Sequence, residues 1–281
     1  MHCNFIANSL NAILISNYNM IKFLIKFPIL KRIIPSIYKK YILVTGNFLK
    51  KKKIHGIKYI LDTRHLIDRN FFLRENYEDD LYLYALNLIN LNKINYFLDI
   101  GSCWGIYSLR LSKVKKLKIL SFDPIIKNIK RLDEMIKINR LKNIKTFSTA
   151  LGNKKKRVKF YGLEDYTSNY TLYRKNEKNI VMCNINKLDN IVKIKKNVLY
   201  LKVDIEGSEY PFLLGSKNII KNNNVIMQIE VFKKNKKKIF NFFQRNNFNC
   251  IFESKSKSDY IFSNFKTKNP RNFRSEGSNF V

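Results

Sequence analysis

Near residue 100 an apolar run ends in a carboxylate and breaks into a turn with two glycines, Asp99-Ile100-Gly101-Ser102-Cys103-Trp104-Gly105, before a helical apolar pattern resumes. Gly101 lets the backbone turn sharply and approach a ligand, and Gly105 opens the helix without side-chain obstruction. That strand, turn and helix context is what a nucleotide-like ligand requires. A second carboxylate, Asp123, ends the next apolar run about twenty residues after the turn, where an acid suits the hydroxyls of an unphosphorylated ribose.

The spacing Asp-x-Gly-x-x-x-Gly departs from the G-x-G-x-x-G of dinucleotide sites. No pyrophosphate cradle is specified, which favours S-adenosylmethionine over a dinucleotide.

A second cluster, LYLKVDIEGSEY at residues 199–210, brings Lys202, Asp204, Glu206 and Glu209 to a strand-to-helix junction. Ligands of open α/β sheets gather at the carboxyl ends of strands, so these acids are expected to face the crevice that holds Asp99 and Asp123. Glu206 and Glu209 equally suit the first turn of a helix, whose dipole favours acids. Lys202 and Asp204 share one strand face by the two-residue period, and a lysine in an apolar strand needs a carboxylate partner, so they form a candidate ion pair. As general bases the candidates are Asp204 and Glu206, then Glu230 after the following strand, with His65 an outlier. Hard oxygens at Asp204, Glu206 and Glu230 also suit magnesium or calcium, but no metal ligands are assigned. The polar, aromatic stretch Glu164 to Tyr170 reads either as a flap over an acceptor or as an ordinary connection.

These residues need a scaffold of short buried strands. Apolar, β-branched runs at 96–100, 118–122, 145–149, 199–205 and 225–231 supply it, with helical patterns at 75–91, 106–114, 126–138 and 209–221. The alternation implies an α/β, Rossmann-like, doubly wound and mainly parallel sheet. Residues 158–161 are a further strand candidate, 251–263 suggest an antiparallel pair closing the sheet, and 54–62 suggest a short strand or hairpin arm.

The chain has 281 residues with 54 Lys and Arg against 21 Asp and Glu, a formal charge of +33. That charge would ordinarily indicate a polyanionic partner. Asn, Ile, Phe and Tyr are abundant too, and their codons, like those of Lys, are rich in A and T, which makes the charge in part compositional. The basic runs at 50–53, 154–157 and 233–238 are scattered and read as solvated loops or helix faces. Cys3, Cys103, Cys183 and Cys250 show no paired spacing, which indicates neither zinc nor disulfides and suits a reducing cytoplasm. Residues 1–53 read as a basic, apolar helical extension without a membrane-spanning run or a signal peptide. Its helices either pack on the catalytic domain or touch an anionic membrane from the inner face. The organisation expected is this extension, a catalytic domain at 54–265 and a disordered tail at 266–281.

With these residues in view, the chain resembles the FkbM-type methyltransferase family. The resemblance spans roughly residues 56–263 and rests on FLDIGSCWGIYSL, SFDP, ALGN at 150–153, INKLDNIV at 185–192, LKVDIEGSEYPFLLGSKNII and IMQIEV at 226–231, in that order. It implies a class I methyltransferase fold, S-adenosylmethionine as cofactor, and O-methylation of sugars, polyketides or related metabolites. It maps Asp99, Gly101, Gly105 and Asp123 to the cofactor, with Ser102 in the same turn and Ser148 to Ala150 near the adenine. Ser102, Cys103 and Trp104 stand where the family commonly has small residues and Asn, and Trp104 is bulky for a place beside a cofactor. The expected partner is a small-molecule or glycan acceptor. Methylation of nucleic acid is the alternative, disfavoured because the fourth strand ends in Asp-Ile-Glu-Gly and not in an Asn/Asp-Pro-Pro-aromatic stretch. A non-catalytic binding or membrane-attached scaffold is the third reading.

Overall fold

The computed structural model describes residues 24, 27–162, 179–254, 256 and 258–270. The stretch Glu164 to Tyr170, residues 1–23, 25 and 26 of the basic extension and residues 271–281 lie outside that set. The chain divides into two compact units, Met1–Glu78 and Asp79–Val281. The division falls after residue 78, so residues 54–78 lie with the extension.

The first unit contains helix α1 (Pro28–Thr45), strands β1 (Leu49–Ile54) and β2 (Ile57–Asp62), and helix α2 (Leu66–Arg74). Proline starts α1, where its missing N–H is harmless, and Gly46 at φ +67 ends it, donating its N–H to the Ile42 carbonyl at 3.0 Å. The run Lys50–Lys53 is part of β1 and pairs antiparallel with β2, which corrects its reading as a loop or helix face. Ile54 pairs with Ile57 across His55 and Gly56, both at positive φ, the two-residue turn whose twist matches a hairpin. Tyr38 and Ile42 of α1 pack on Leu73 of α2, with the Tyr38 and Phe72 rings stacked at 5.8 Å.

The second unit runs α3 (Asp79–Leu91), β3 (Tyr96–Ile100), α4 (Ile106–Leu111), β4 (Lys118–Asp123), α5 (Ile126–Ile138), β5 (Ile144–Ser148), β6 (Ala150–Leu151), β7 (Lys156–Gly162), β8 (Asn179–Asn186), α6 (Leu188–Ile191), β9 (Val198–Val203), α7 (Glu209–Leu214), α8 (Lys217–Lys221), β10 (Asn224–Glu230), α9 (Lys236–Arg245), β11 (Asn249–Glu253) and β12 (Asp259–Ser263). Its main sheet has the order β11-β12-β10-β9-β3-β4-β5. From β10 to β5 every pairing is parallel, and β12 is antiparallel to both β10 and β11. This is the expected doubly wound sheet with its antiparallel closure. Leu98, Leu199, Leu201, Val225, Met227 and Ile229 are fully buried, as strands covered on both faces require. Each contributes on the order of 1.5–3 kcal/mol by leaving water.

Two local differences from the sequence reading matter for the site. The single helix expected at 209–221 is two short helices broken at Gly215, where a Cβ would sit 1.9 Å from the Gly152 carbonyl oxygen. Two backbones meet there, and the helix yields. A second, three-stranded sheet of order β6-β8-β7 lies between β5 and β9 in the chain. Its strand β8 turns Ile180 and Met182 to solvent, so its apolar run does not follow the in-and-out alternation of a half-buried strand.

Candidate active site

Strand order reverses between β3 and β9, and the turn after β3 is suspended from the end of β4. The N–H groups of Gly101 and Ser102 both donate to the Phe122 carbonyl, at 2.9 and 3.0 Å, and the Cys103 N–H donates to Asp123 Oδ2 at 3.0 Å. Gly101 has φ +80, and a Cβ on it would lie 1.8 Å from the Asp204 carbonyl oxygen. The turn is thus pressed against the end of β9. Gly105, at φ +84, lets Leu132 of α5 pack where its Cβ would be.

Asp99 lies beneath this turn. It is buried, accepts a 2.6 Å hydrogen bond from Ser108 Oγ, and that hydroxyl in turn meets Ser121 Oγ at 2.7 Å. Burial pushes its carboxyl above the usual range, opposed by nearby Lys202 and by Ser108. Lys202 is buried too, with Nζ 3.0 Å from Asp204 Oδ2 and 4.9 Å from the centre of the Tyr107 ring. The ion pair expected from the two-residue period is present.

Asp123 orders both its neighbours. Its Oδ1 accepts from the Ile125 N–H at 2.8 Å and Asn128 Nδ2 at 3.1 Å, while Oδ2 takes the Cys103 N–H. Burial pushes its carboxyl up to about 7 against these stabilising bonds. The turn after β9 is strained, with Glu206 at φ +52 and Gly207 at φ +98. Glu209 buttresses it: fully buried, it accepts the Gly207 N–H on Oε1 at 2.9 Å, and its Oε2 has no hydrogen-bond partner among the described residues.

Glu230 ends β10 opposite Asp259. Burial first, then the charges of Asp204, Asp259, Glu206 and Glu209, push its carboxyl from 4.5 up to about 7. Folded protein therefore holds this proton more tightly than unfolded chain, and stability falls as pH rises from about 4.5 to 7. Glu230→Gln is expected to raise the Tm by about 2–4 °C at pH 8 and to leave it unchanged at pH 4. Thermal melts at the two pH values check this, and an equal shift at both would contradict it.

A cavity of about 940 Å³, open to solvent, lies at the carboxyl ends of β3, β4 and β9. Of the residues expected at the site it brings together Gly101, Asp123, Ala150, Asp204 and Glu206. Asp99, Ser102, Gly105, Ser148 and Glu230 stand outside its lining. Ser102 is buried with Oγ 3.5 Å from the Cys103 carbonyl, and Ser148 is exposed. His65 belongs to the first unit, 3.6 Å from Asp62. Trp104 is buried with the Arg131 guanidinium 4.4 Å from its ring and does not line the cavity either. The lining also includes Thr149, within the Ser148 to Ala150 stretch expected near the adenine, and Cys103, Lys156, Phe160 and Ile185, to which motif reasoning gave no role. Lys156 and Phe160 come from β7, whose residues 158–161 were expected to form a strand, and Ile185 comes from β8, which the sequence pattern did not reveal. Among the described residues no three His, Cys, Asp or Glu side chains form a group that could hold a metal ion, so the option of Asp204, Glu206 and Glu230 as ligands lacks its geometry.

A family model described as the Methyltransferase FkbM domain matches residues 99–250, which include both the turn and the strand end that form this cavity. The chain belongs to the FkbM methyltransferase family. Its main sheet has the order of a class I methyltransferase fold. Solved structures similar to it include the methyltransferase FkbM from Methylobacillus flagellatus KT, at 14% identity and a TM-score of 0.45, covering 90% of this chain and 60% of that one. Trm5b from Pyrococcus abyssi is 11% identical with a TM-score of 0.42, covering 77% of this chain and 54% of that one. TYW2 from M. jannaschii, in complex with AdoMet, is 12% identical with a TM-score of 0.43, covering 77% and 84%. The present chain thus spans less than two thirds of the length of the first two. No curated protein matches it.

Proposed function

We propose that this FkbM-family chain transfers a methyl group from S-adenosylmethionine to a hydroxyl of a sugar, glycan or related metabolite. The observation that carries the reading is that two carboxylates, Asp204 and Glu206, share a cavity wall with Gly101, Asp123 and Ala150.

The cavity suits the cofactor in three respects. Gly101 has no room for a side chain and offers bare backbone. Asp123 uses three acceptor positions of about four, which leaves one for a ribose hydroxyl. Ile125, Ala150, Phe160 and Ile185 add an apolar wall for a purine.

Bound S-adenosylmethionine supplies an electrophilic methyl group on a positively charged sulfur. The protein must align an acceptor oxygen with it and take up the hydroxyl proton. Asp204 and Glu206 serve as the base at the cavity wall. Lys202 positions Asp204 through the 3.0 Å ion pair. The charge of +33 favours a second reading, in which the acceptor is a nucleic acid.

Titration calorimetry with S-adenosylmethionine tests the cofactor. Wild-type protein should bind it, and Asp123→Ala should bind at least about tenfold more weakly through the lost ribose contact and the loosened turn. A folded wild-type sample that binds nothing would sink the proposal. Transfer of labelled methyl to hydroxylated sugars is the result expected for the acceptor. Transfer to RNA instead, lost as salt rises, would establish the second reading.

A further inference from the structure

The outward face of α1 has the wrong chemistry for a helix that ends its packing at α2. The helix buries Tyr38 and Ile42 against Leu73, with Ile34 beside them. A surface helix normally turns polar residues to the opposite side. Here Ile29, Ile33, Ile37 and Val44, at spacings of four, four and seven, form a second apolar stripe roughly 120° around the helix from the buried one. They are 72%, 44%, 61% and 87% exposed. Leu43, at 61%, flanks the stripe, Lys40 falls within its line, and Lys39 lies at its edge. Contiguous apolar surface of this kind marks an interaction site.

The charge around it selects the partner. Eleven Lys and Arg and no Asp or Glu precede Asp62, although acids occur throughout the rest of the chain. In the hairpin of the same unit, exposed Lys53 lies directly opposite exposed Lys58, a pairing that costs stability by itself. A second copy of this segment would bring like charges face to face. An anionic bilayer surface removes that repulsion, takes the apolar stripe into its acyl boundary and leaves the lysine heads at the phosphates.

We propose that the Ile29, Ile33, Ile37 and Val44 face of α1 docks this chain, as a peripheral helix lying in the interface, onto anionic phospholipid. Among the described residues no helix is long and apolar enough to cross a membrane.

Flotation of the full chain with phosphatidylcholine vesicles, with and without about one third phosphatidylglycerol, tests this. Wild-type protein should bind the anionic vesicles at least about tenfold more tightly than the neutral ones, and less tightly as salt rises. Ile33→Asp/Ile37→Asp, at two exposed positions, should lose at least about tenfold in binding with an unchanged circular dichroism spectrum. Lys39→Gln/Lys40→Gln should lose several-fold, and it tests the same face should the first variant misfold. Equal binding to both vesicles, or full binding by both variants, would overturn the proposal. So would a wild-type dimer in solution that Ile33→Asp/Ile37→Asp dissociates, since a second copy would then own the stripe.

Discussion

Gly101→Ala is expected to reduce S-adenosylmethionine affinity by at least about a hundredfold and to lower the Tm by several degrees. The added methyl would sit 1.8 Å from the main-chain oxygen of Asp204, and an obstacle of backbone cannot rotate away. The left-handed φ of +80 adds about 1–2 kcal/mol of strain for any residue with a Cβ. Gly46→Ala separates the two effects. Gly46 has a similar φ of +67 but nothing within 4 Å of its would-be Cβ, so that variant should pay only the strain, about 1 kcal/mol. Calorimetry and thermal melts on both variants decide the matter. Wild-type affinity in Gly101→Ala would show that the turn does not touch the cofactor.

The second large effect concerns the base. Glu206→Gln and Asp204→Asn are each expected to retain cofactor binding, and at least one should lose about 10²–10⁴ in turnover. Asp204 needs a control, because removing it leaves the buried Lys202 ammonium without its 3.0 Å partner and destabilises the fold. In Lys202→Met/Asp204→Asn the buried ammonium is gone as well. Stability should return while turnover stays lost. Recovery of turnover with stability would mean that Asp204 serves the fold alone, and full activity in both single variants would remove the two acids from the mechanism.

The main sheet was legible because its strands are buried on both faces and so appear as unbroken apolar runs, as in residues 96–100 and 225–231. The Lys202–Asp204 pair was legible for a different reason: a buried ammonium in an apolar strand must be compensated, and period two names the partner. Motif spacing alone could not tell ligand contact from support. Asp99 and Asp123 are both buried acids at strand ends, yet only Asp123 lines the cavity, while Asp99 is taken by Ser108 below the turn. Trp104 was expected beside the cofactor, but positive φ at Cys103 and Gly105 bends the chain and leaves its ring buried beneath Arg131. Residues 54–62 and 158–161 announced β2 and β7, whereas their partners β1 and β8 escaped because about half of their residues face water. Lys50 to Lys53 carry no alternation of apolar and polar residues for a sequence pattern to register.

The meeting of Gly215 with Gly152 constrains how this chain can diverge over generations. A side chain at 152 would meet the Ile185 methyl at 3.0 Å, an obstacle that a smaller residue at 185 removes, so positions 152 and 185 can drift as a pair. At 215 the obstacle is the peptide of residue 152 itself, 1.9 Å away, and no substitution elsewhere alters a peptide. One side of the contact is open to compensation and the other is closed. Because Gly152 lies in the cavity wall, lineages that change their acceptor have freedom to remodel the 152 and 185 side while Gly215 stays as it is.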